Sequence, residues 1–166
     1  TSTNNEVIAT VGTGTNLLNK AVNTTNLAGK SQYLFTAAEL SAAGLTAGEI
    51  KSLSLNVLLN AGEAKFLKIK LKQTSKTNLI GAVDLSGLSE VFYQNTTFTA
   101  NQTKRFQFHT PFLWDGTSNI IVEFSFTNVD AAALSATTVE SNTTAFVSAL
   151  NAVNERDILF SNNNYV

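Results

Sequence analysis

The stretch Lys104–Thr127 reads KRFQFHTPFLWDGTSNIIVEFSFT, and the fold turns on it. Phe106 and Phe108 alternate with Arg105, Gln107 and His109, while Ile120, Val122, Phe124 and Phe126 alternate with Ile121, Glu123, Ser125 and Thr127. A period of two belongs to β-strands with one face in a core and the other in water. Between the two runs Pro111 fixes its own φ, Asp115 and Gly116 supply turn chemistry, and Trp114 sets a large ring beside polar neighbours. Two strands and a turn are expected. The four phenylalanines should be buried together, whether the strands pair in one sheet or face each other across two.

Working outward, Leu53, Leu55, Val57 and Leu59 face one way and Ser52, Ser54 and Asn56 the other, which predicts a half-buried strand. After Asn60-Ala-Gly62 a second run turns Leu67, Ile69 and Leu71 inward and leaves Phe66, Lys68, Lys70 and Lys72 outward. Shorter strands are expected at Glu6–Val11, Tyr33–Phe35, Leu79–Val83, Glu90–Tyr93, Thr137–Val139, Phe146–Leu150 and Ile158–Phe160. Asn16–Lys30 and Asn95–Thr103 read as loops. One helix start stands out: in Thr36-Ala-Ala-Glu39 the threonine hydroxyl and the glutamate carboxylate can cap each other's backbone donors, and Gly44 stops the helix. Nine or ten short strands with one short helix predict an all-β, two-sheet sandwich of jelly-roll type, a single module over 1–166.

Composition agrees, with 43% hydrophobic and only 14% charged residues in 166, enough chain for one substantial core. A formal net charge of −1 gives no global field to draw nucleic acid, so any electrostatic recognition must be local. Cysteine is absent, which excludes disulfides, thiolate metal sites and cysteine nucleophiles. Methionine is absent too, even at position 1, and a processed mature protein or an excised module is expected. No apolar run approaches the roughly 20 residues that span a bilayer.

Residues able to carry chemistry are few. His109 is the only histidine and would have Glu123 as cross-strand neighbour if the two phenylalanine-rich strands paired, with Thr110 and Ser125 nearby as hydroxyls. No nucleophile turn accompanies them, and no catalytic residue is assigned. Asp84, Asp115, Asp130 and Asp157 fall in expected loops without calcium-loop spacing, and Asp115 before Gly116-Thr-Ser-Asn119 is more simply an Asx-type turn. Glu90, Glu123 and Glu140 share no glycosidase motif, and neither metal nor cofactor is assigned, with calcium in an Asp/Asn-rich loop the alternative.

Two sets point to binding instead. Trp114, Tyr33, Tyr93 and Phe92 are candidates for a sugar-stacking platform, since an aromatic face covers the apolar face of a pyranose. For Trp114, packing under its turn beside Pro111, Phe112 and Leu113 is the simpler alternative. Lys65, Lys68, Lys70, Lys72 and Lys76 could form a basic surface for an acidic polysaccharide, with Phe66 beside it, but outward lysines also guard a sheet edge against pairing. The Asn-x-Thr strings at Asn23, Asn95, Asn101 and Asn142 would be glycan acceptors in a eukaryotic secretory path and are simply polar loops in a chain of bacterial origin.

Four stretches carry a resemblance: Thr10-Val-Gly-Thr-Gly14; Tyr33–Leu40 running on to Ala43-Gly-Leu-Thr-Ala-Gly-Glu-Ile-Lys-Ser-Leu53; Thr110-Pro-Phe-Leu-Trp-Asp-Gly-Thr-Ser-Asn-Ile-Ile-Val-Glu123; and Arg156-Asp-Ile-Leu-Phe160. Together they make the chain similar to the extracellular β-sandwich accessory modules of large secreted or cell-surface proteins of Bacteroidota-type bacteria, where such modules sit beside polycystic-kidney-type or fibronectin-like domains and a sorting tail. The third stretch is the most specific. Those modules often place a proline before the last apolar strand, where this chain has Glu155-Arg-Asp157. The resemblance implies an extracellular or cell-surface location and transfers no catalytic motif.

The expectation is a non-catalytic binding or adhesion module that takes a polysaccharide or cell-surface glycan, with Trp114, Tyr33, Tyr93, Lys68, Lys70 and Lys72 as its ligand-binding residues. The alternative is a structural spacer or fibre subunit that self-associates by pairing its terminal strands. Neither nucleic acid nor a transmembrane segment enters either account.

Overall fold

The computed structural model describes residues 6–14, 16–19, 21–59, 62–80, 84, 86–129 and 137–152, with the backbone of 161–163. In chain order its elements are β1 (Asn16–Leu18), β2 (Ala28–Phe35), α1 (Ala37–Ala42), β3 (Gly48–Leu59), β4 (Gly62–Thr74), β5 (Ser89–Phe98), β6 (Gln102–Trp114), β7 (Asn119–Thr127), β8 (Thr138–Ser141), β9 (Ala149–Ala152) and β10 (Ser161–Asn163). They form a four-stranded sheet, β1-β8-β3-β6, and a six-stranded sheet, β10-β9-β2-β7-β4-β5. Every pairing is antiparallel. The first eight strands pair as β1 with β8, β2 with β7, β3 with β6 and β4 with β5. That nesting is a long hairpin rolled up on itself, the jelly-roll topology, and β9 and β10 extend the larger sheet beyond β2.

The opening segment is two strands and a turn, but the strands belong to different sheets. β6 pairs with β3 at the margin of the small sheet, and β7 lies between β2 and β4 in the large one. The four phenylalanines share one core, with the rings of Phe106 and Phe124 meeting across the sandwich at 6.3 Å and Phe106 also touching Phe92 at 5.3 Å and Phe98 at 6.2 Å. The turn between the strands is built as its sequence suggests. Asp115 accepts from the backbone N–H groups of Thr117 and Ser118 at 2.8 and 2.7 Å, and Gly116 takes φ 81° against Ala47, where a side chain would collide.

β7 departs from the expected one wet face. Ile121, Glu123 and Ser125 are as buried as the phenylalanines, because the far side of the large sheet carries a second apolar cluster of Leu34, Leu79, Ile121 and Leu150, with Leu88, Phe146 and Val147 against it. A strand at the centre of a sheet covered on both faces loses its polar side.

Other boundaries move for local reasons. Glu6–Val11 forms no strand; β1 lies instead at Asn16–Leu18, within the stretch expected as a loop, where β8 supplies a partner. β5 runs on through Asn95–Phe98 because Thr96 and Phe98 point inward, and the chain turns at 99–101 with Asn101 at φ 58°. Leu59 is exposed, since the register shifts between Val57 and Leu59. Leu79 and Ile80 are not in a strand, and 81–83 lie outside the described residues, as does Ile158–Phe160. The late strands fall at β8 and β9, displaced from Thr137–Val139 and Phe146–Leu150 by one to three residues at their starts.

α1 is held at both ends. Thr36 Oγ1 accepts from the Glu39 N–H while Glu39 Oε2 accepts from the Thr36 N–H at 2.8 Å. At the other end Leu45 donates to Leu40 and Gly44, at φ 96°, donates to Ser41, the paired bonds of a Schellman motif.

Candidate ligand-binding face

β4 decides how the lysines are read. It lies between β7 and β5, so its lysine row guards no edge. The outward face of the large sheet is organised in cross-strand rows. One runs Leu150, Gln32, Glu123, Lys70, and the next runs Ala152, Lys30, Ser125, Lys68, Tyr93.

The inner part of this face is a buried polar network, within which Gln32 Oε1 has no hydrogen-bond partner among the described residues. Glu123, only 1% exposed, accepts from Gln32 Nε2 at 2.7 Å and has Lys30 Nζ at 3.9 Å. Gln32 spends its second N–H on the Asp84 carbonyl at 2.8 Å. Lys72 reaches both Asp84 oxygens at 2.9 Å and the Ser86 carbonyl at 2.8 Å, tying those two residues to β4. Burial pushes the Asp84 carboxyl up, but the Lys72 hydrogen bonds and charge outweigh it and leave the carboxyl below its ordinary range.

The outer part is different. The β4–β5 register shifts between Ala64 and Leu67, and in that bulge Phe66 adopts φ 54°, the left-handed region that costs an L-residue about 1–2 kcal/mol. Two side-chain amides hold it there. Asn95 Oδ1 accepts from the Phe66 N–H and Asn128 Oδ1 from the Lys65 N–H, both at 2.8 Å, while Asn128 Nδ2 donates to the Glu63 carbonyl at 3.0 Å. The Phe66 ring, 44% exposed, thereby lies beside that of Tyr93, 50% exposed, with centroids 6.5 Å apart and planes tilted by 30°. Lys68 Nζ sits 5.5 Å from the Tyr93 centroid.

Of the sequence-derived candidates, Tyr93, Lys68 and Lys70 share this surface, whereas Trp114 and Tyr33 do not reach it. Trp114 is 1% exposed, part of the core between the sheets, and donates through Nε1 to the Ser118 carbonyl at 2.8 Å; a ligand role for it is corrected to closure of its turn. Tyr33 is 3% exposed with its ring edge-on to Phe124 at 6.1 Å, and it too is a core residue. Phe92 is likewise inward, and Lys72 is committed to Asp84. Sequence reasoning placed Phe66 only as a neighbour of the lysines. Its one visible signal is a large apolar side chain at an outward strand position; the asparagine clamps come from residues far along the chain.

His109 and Glu123 are not neighbours. His109 Nε2 lies 3.4 Å from Glu90 Oε1 and its Nδ1 is 3.0 Å from Thr110 Oγ1, all half-exposed where β6 and β5 adjoin. The order hydroxyl, imidazole, carboxylate matches that of a nucleophile relay, but on this rim water is not excluded, and the contact ties the margin of one sheet to the other. Among the described residues no group of three His, Cys, Asp or Glu could hold a metal ion. Asp115 is satisfied by its own turn, Glu140 sits on the other sheet bonded to Asn56 at 2.7 Å, and Asp130 and Asp157 lie outside the described residues. No helix among those residues is long and apolar enough to cross a membrane.

A further cleft of about 360 Å³ lies beside α1, lined by Val11, Phe35, Glu39, Ala42 and Asn142 among others. Compared with protein-family models, with curated protein sequences and with solved structures, the chain finds no match in any of the three.

Proposed function

We propose that this chain is a non-catalytic extracellular binding module that takes a glycan on the outer face of its large sheet, with Phe66 and Tyr93 stacking on a pyranose ring. The observation that carries the reading is Phe66 itself: a phenylalanine held at φ 54° by two asparagine clamps, its ring left out in solvent beside a second aromatic. Strain maintained by its surroundings is characteristic of ligand sites. Aromatic faces supply the apolar contact, and the amides and lysines around them suit hydroxyls. The extracellular or cell-surface location rests on the resemblance to Bacteroidota-type accessory modules. A glycan array followed by affinity electrophoresis tests the reading. Wild type should be retarded by at least one polysaccharide and Tyr93→Ala should migrate freely; equal retardation of both would remove the platform.

The second reading, a spacer or fibre subunit assembling by strand addition, is supported by Val7, Ile8 and Leu17. All three are exposed apolar side chains leading into or on the three-residue marginal strand β1. Deleting 6–10 should convert an assembling parent into a folded monomer by sedimentation, and a parent that is already monomeric sinks this alternative.

A further inference from the structure

The glycan reading above says nothing of charge, and charge is what the lysines around the platform decide. Resting on that reading, we infer that the ligand is an acidic polysaccharide carrying one carboxylate per sugar, a polyuronate.

The lysines of this face differ in their partners. Lys30 faces Glu123 at 3.9 Å and Lys72 is bound to Asp84 at 2.9 Å, so both charges are answered within the protein. Among the described residues no carboxylate forms an ion pair with Lys65, Lys68 or Lys70. Glu90, opposite Lys70 in the register, is turned to His109 at 3.4 Å. Lys68 lies over the Tyr93 ring. Lys65, Lys68 and Lys70 thus lie along β4 on either side of Phe66 and Leu67 without an ion pair, though Glu123 also flanks Lys70 in the register, and in a molecule whose net charge is −1 any positive field is local to such a row. Protection of a sheet edge does not account for them, because β4 is an interior strand.

The kind of anion follows from geometry and residue type. Lys68 and Lys70 are two residues apart on one face of a strand, about 7 Å along it. Such sparse charges suit a chain with a single anionic group per ring, whose apolar face stays clear to stack on Phe66 and Tyr93. A densely sulfated polymer would bring charges that this spacing leaves unmatched. No arginine lies on the face among the described residues, Arg105 being on the small sheet beside Ser52 and Glu6. Lysine, a point charge, accepts carboxylate and phosphate alike, but the few cations here and the net charge of −1 fall short of the run of phosphate contacts that carries nucleic-acid affinity, which sets nucleic acid below a carboxylated glycan.

The test is affinity electrophoresis of the folded chain in gels containing polygalacturonate, dextran or dextran sulfate, with a thymidine oligonucleotide as competitor. Polygalacturonate should retard wild type more strongly than dextran or dextran sulfate, and added salt should weaken the effect. Lys68→Gln/Lys70→Gln should bind about tenfold more weakly, the change two partly exposed charge contacts bring together, while its near-ultraviolet circular dichroism stays that of wild type. Equal retardation by dextran, with the double variant unchanged and Tyr93→Ala free, would overturn the anionic inference and leave the glycan reading standing. Stronger retention by dextran sulfate, or displacement by the oligonucleotide at equal charge, would also overturn it. No retention by any polymer would take down both.

Discussion

Replacing Phe66 by alanine and by glycine should give stabilities in the reverse of the order found at ordinary strand positions. Both variants delete the ring and its contact with Tyr93, so that loss cancels between them and only the backbone term differs. At φ 54° alanine keeps the left-handed penalty of about 1–2 kcal/mol, which glycine does not feel. Against this, glycine gives the unfolded chain extra freedom that costs about 0.4–1 kcal/mol. The difference leaves Phe66→Gly more stable than Phe66→Ala by about 0.5–1 kcal/mol, whereas glycine is normally the worse residue in a strand by a similar amount. Urea denaturation of the two proteins side by side, followed by fluorescence of the buried Trp114, measures the difference directly, provided the two slopes agree. If Phe66→Ala proves the more stable, the residue is not strained, and the argument that its backbone is held for the sake of the ring fails.

Phe124→Ala should cost about 3–5 kcal/mol, because its ring is buried between Tyr33 at 6.1 Å and Phe106 at 6.3 Å; a loss below about 1 kcal/mol in reversible denaturation would refute the core assignment. Thr36→Ala removes the acceptor for the Glu39 N–H and should cost about 0.5–2 kcal/mol by the same measurement, a neutral result counting against the cap. Asp115 should titrate at about 2, held down by the Ser118 hydroxyl and then by the N–H groups of Ser118 and Thr117. Its folded value lies below the unfolded one, so its stabilising contribution is present above the ordinary aspartate range and disappears as pH falls through about 2; carboxyl NMR should show that midpoint, and Ser118→Ala should raise it.

Where a local rule suffices, the chain can be read directly. The Thr36–Glu39 box, the Asp115–Gly116 turn and the inward set Leu67, Ile69 and Leu71 are specified by neighbours a few residues away, and each occurs as expected. Pairing is another matter. That β6 and β7 separate into two sheets depends on β3 and β2 arriving as partners, and nothing within Lys104–Thr127 encodes it. The same limit hid the burial of Glu123, whose alternation with Val122 and Phe124 is that of a solvent-facing residue until Gln32, Lys30 and the second apolar cluster cover it. At the candidate site the lysines are legible as outward residues, whereas Tyr93 is legible only as an aromatic beside Phe92 with no face assigned. The placement of Trp114 and Tyr33 is not legible, because an aromatic ring suits a core as well as it suits a ligand. The conformation of Phe66 is not legible in its own strand, since Asn95 and Asn128 impose it from outside.

The nesting of the first eight strands also bears on how the chain acquires its fold. β4 and β5 are joined by a single connection, whereas β1 must find β8 with nearly the whole chain between them, Asn16 meeting Ser141. Loop closure grows costlier with each outer layer, so the innermost pair is placed to form first and the others to zip outward from it. Such non-local topology belongs with domains that fold in milliseconds to seconds. It also sets an order of opening: β1 and β8 share only a three-residue ladder at the outermost turn of the roll, and their amides should exchange with solvent long before those of β4 and β7.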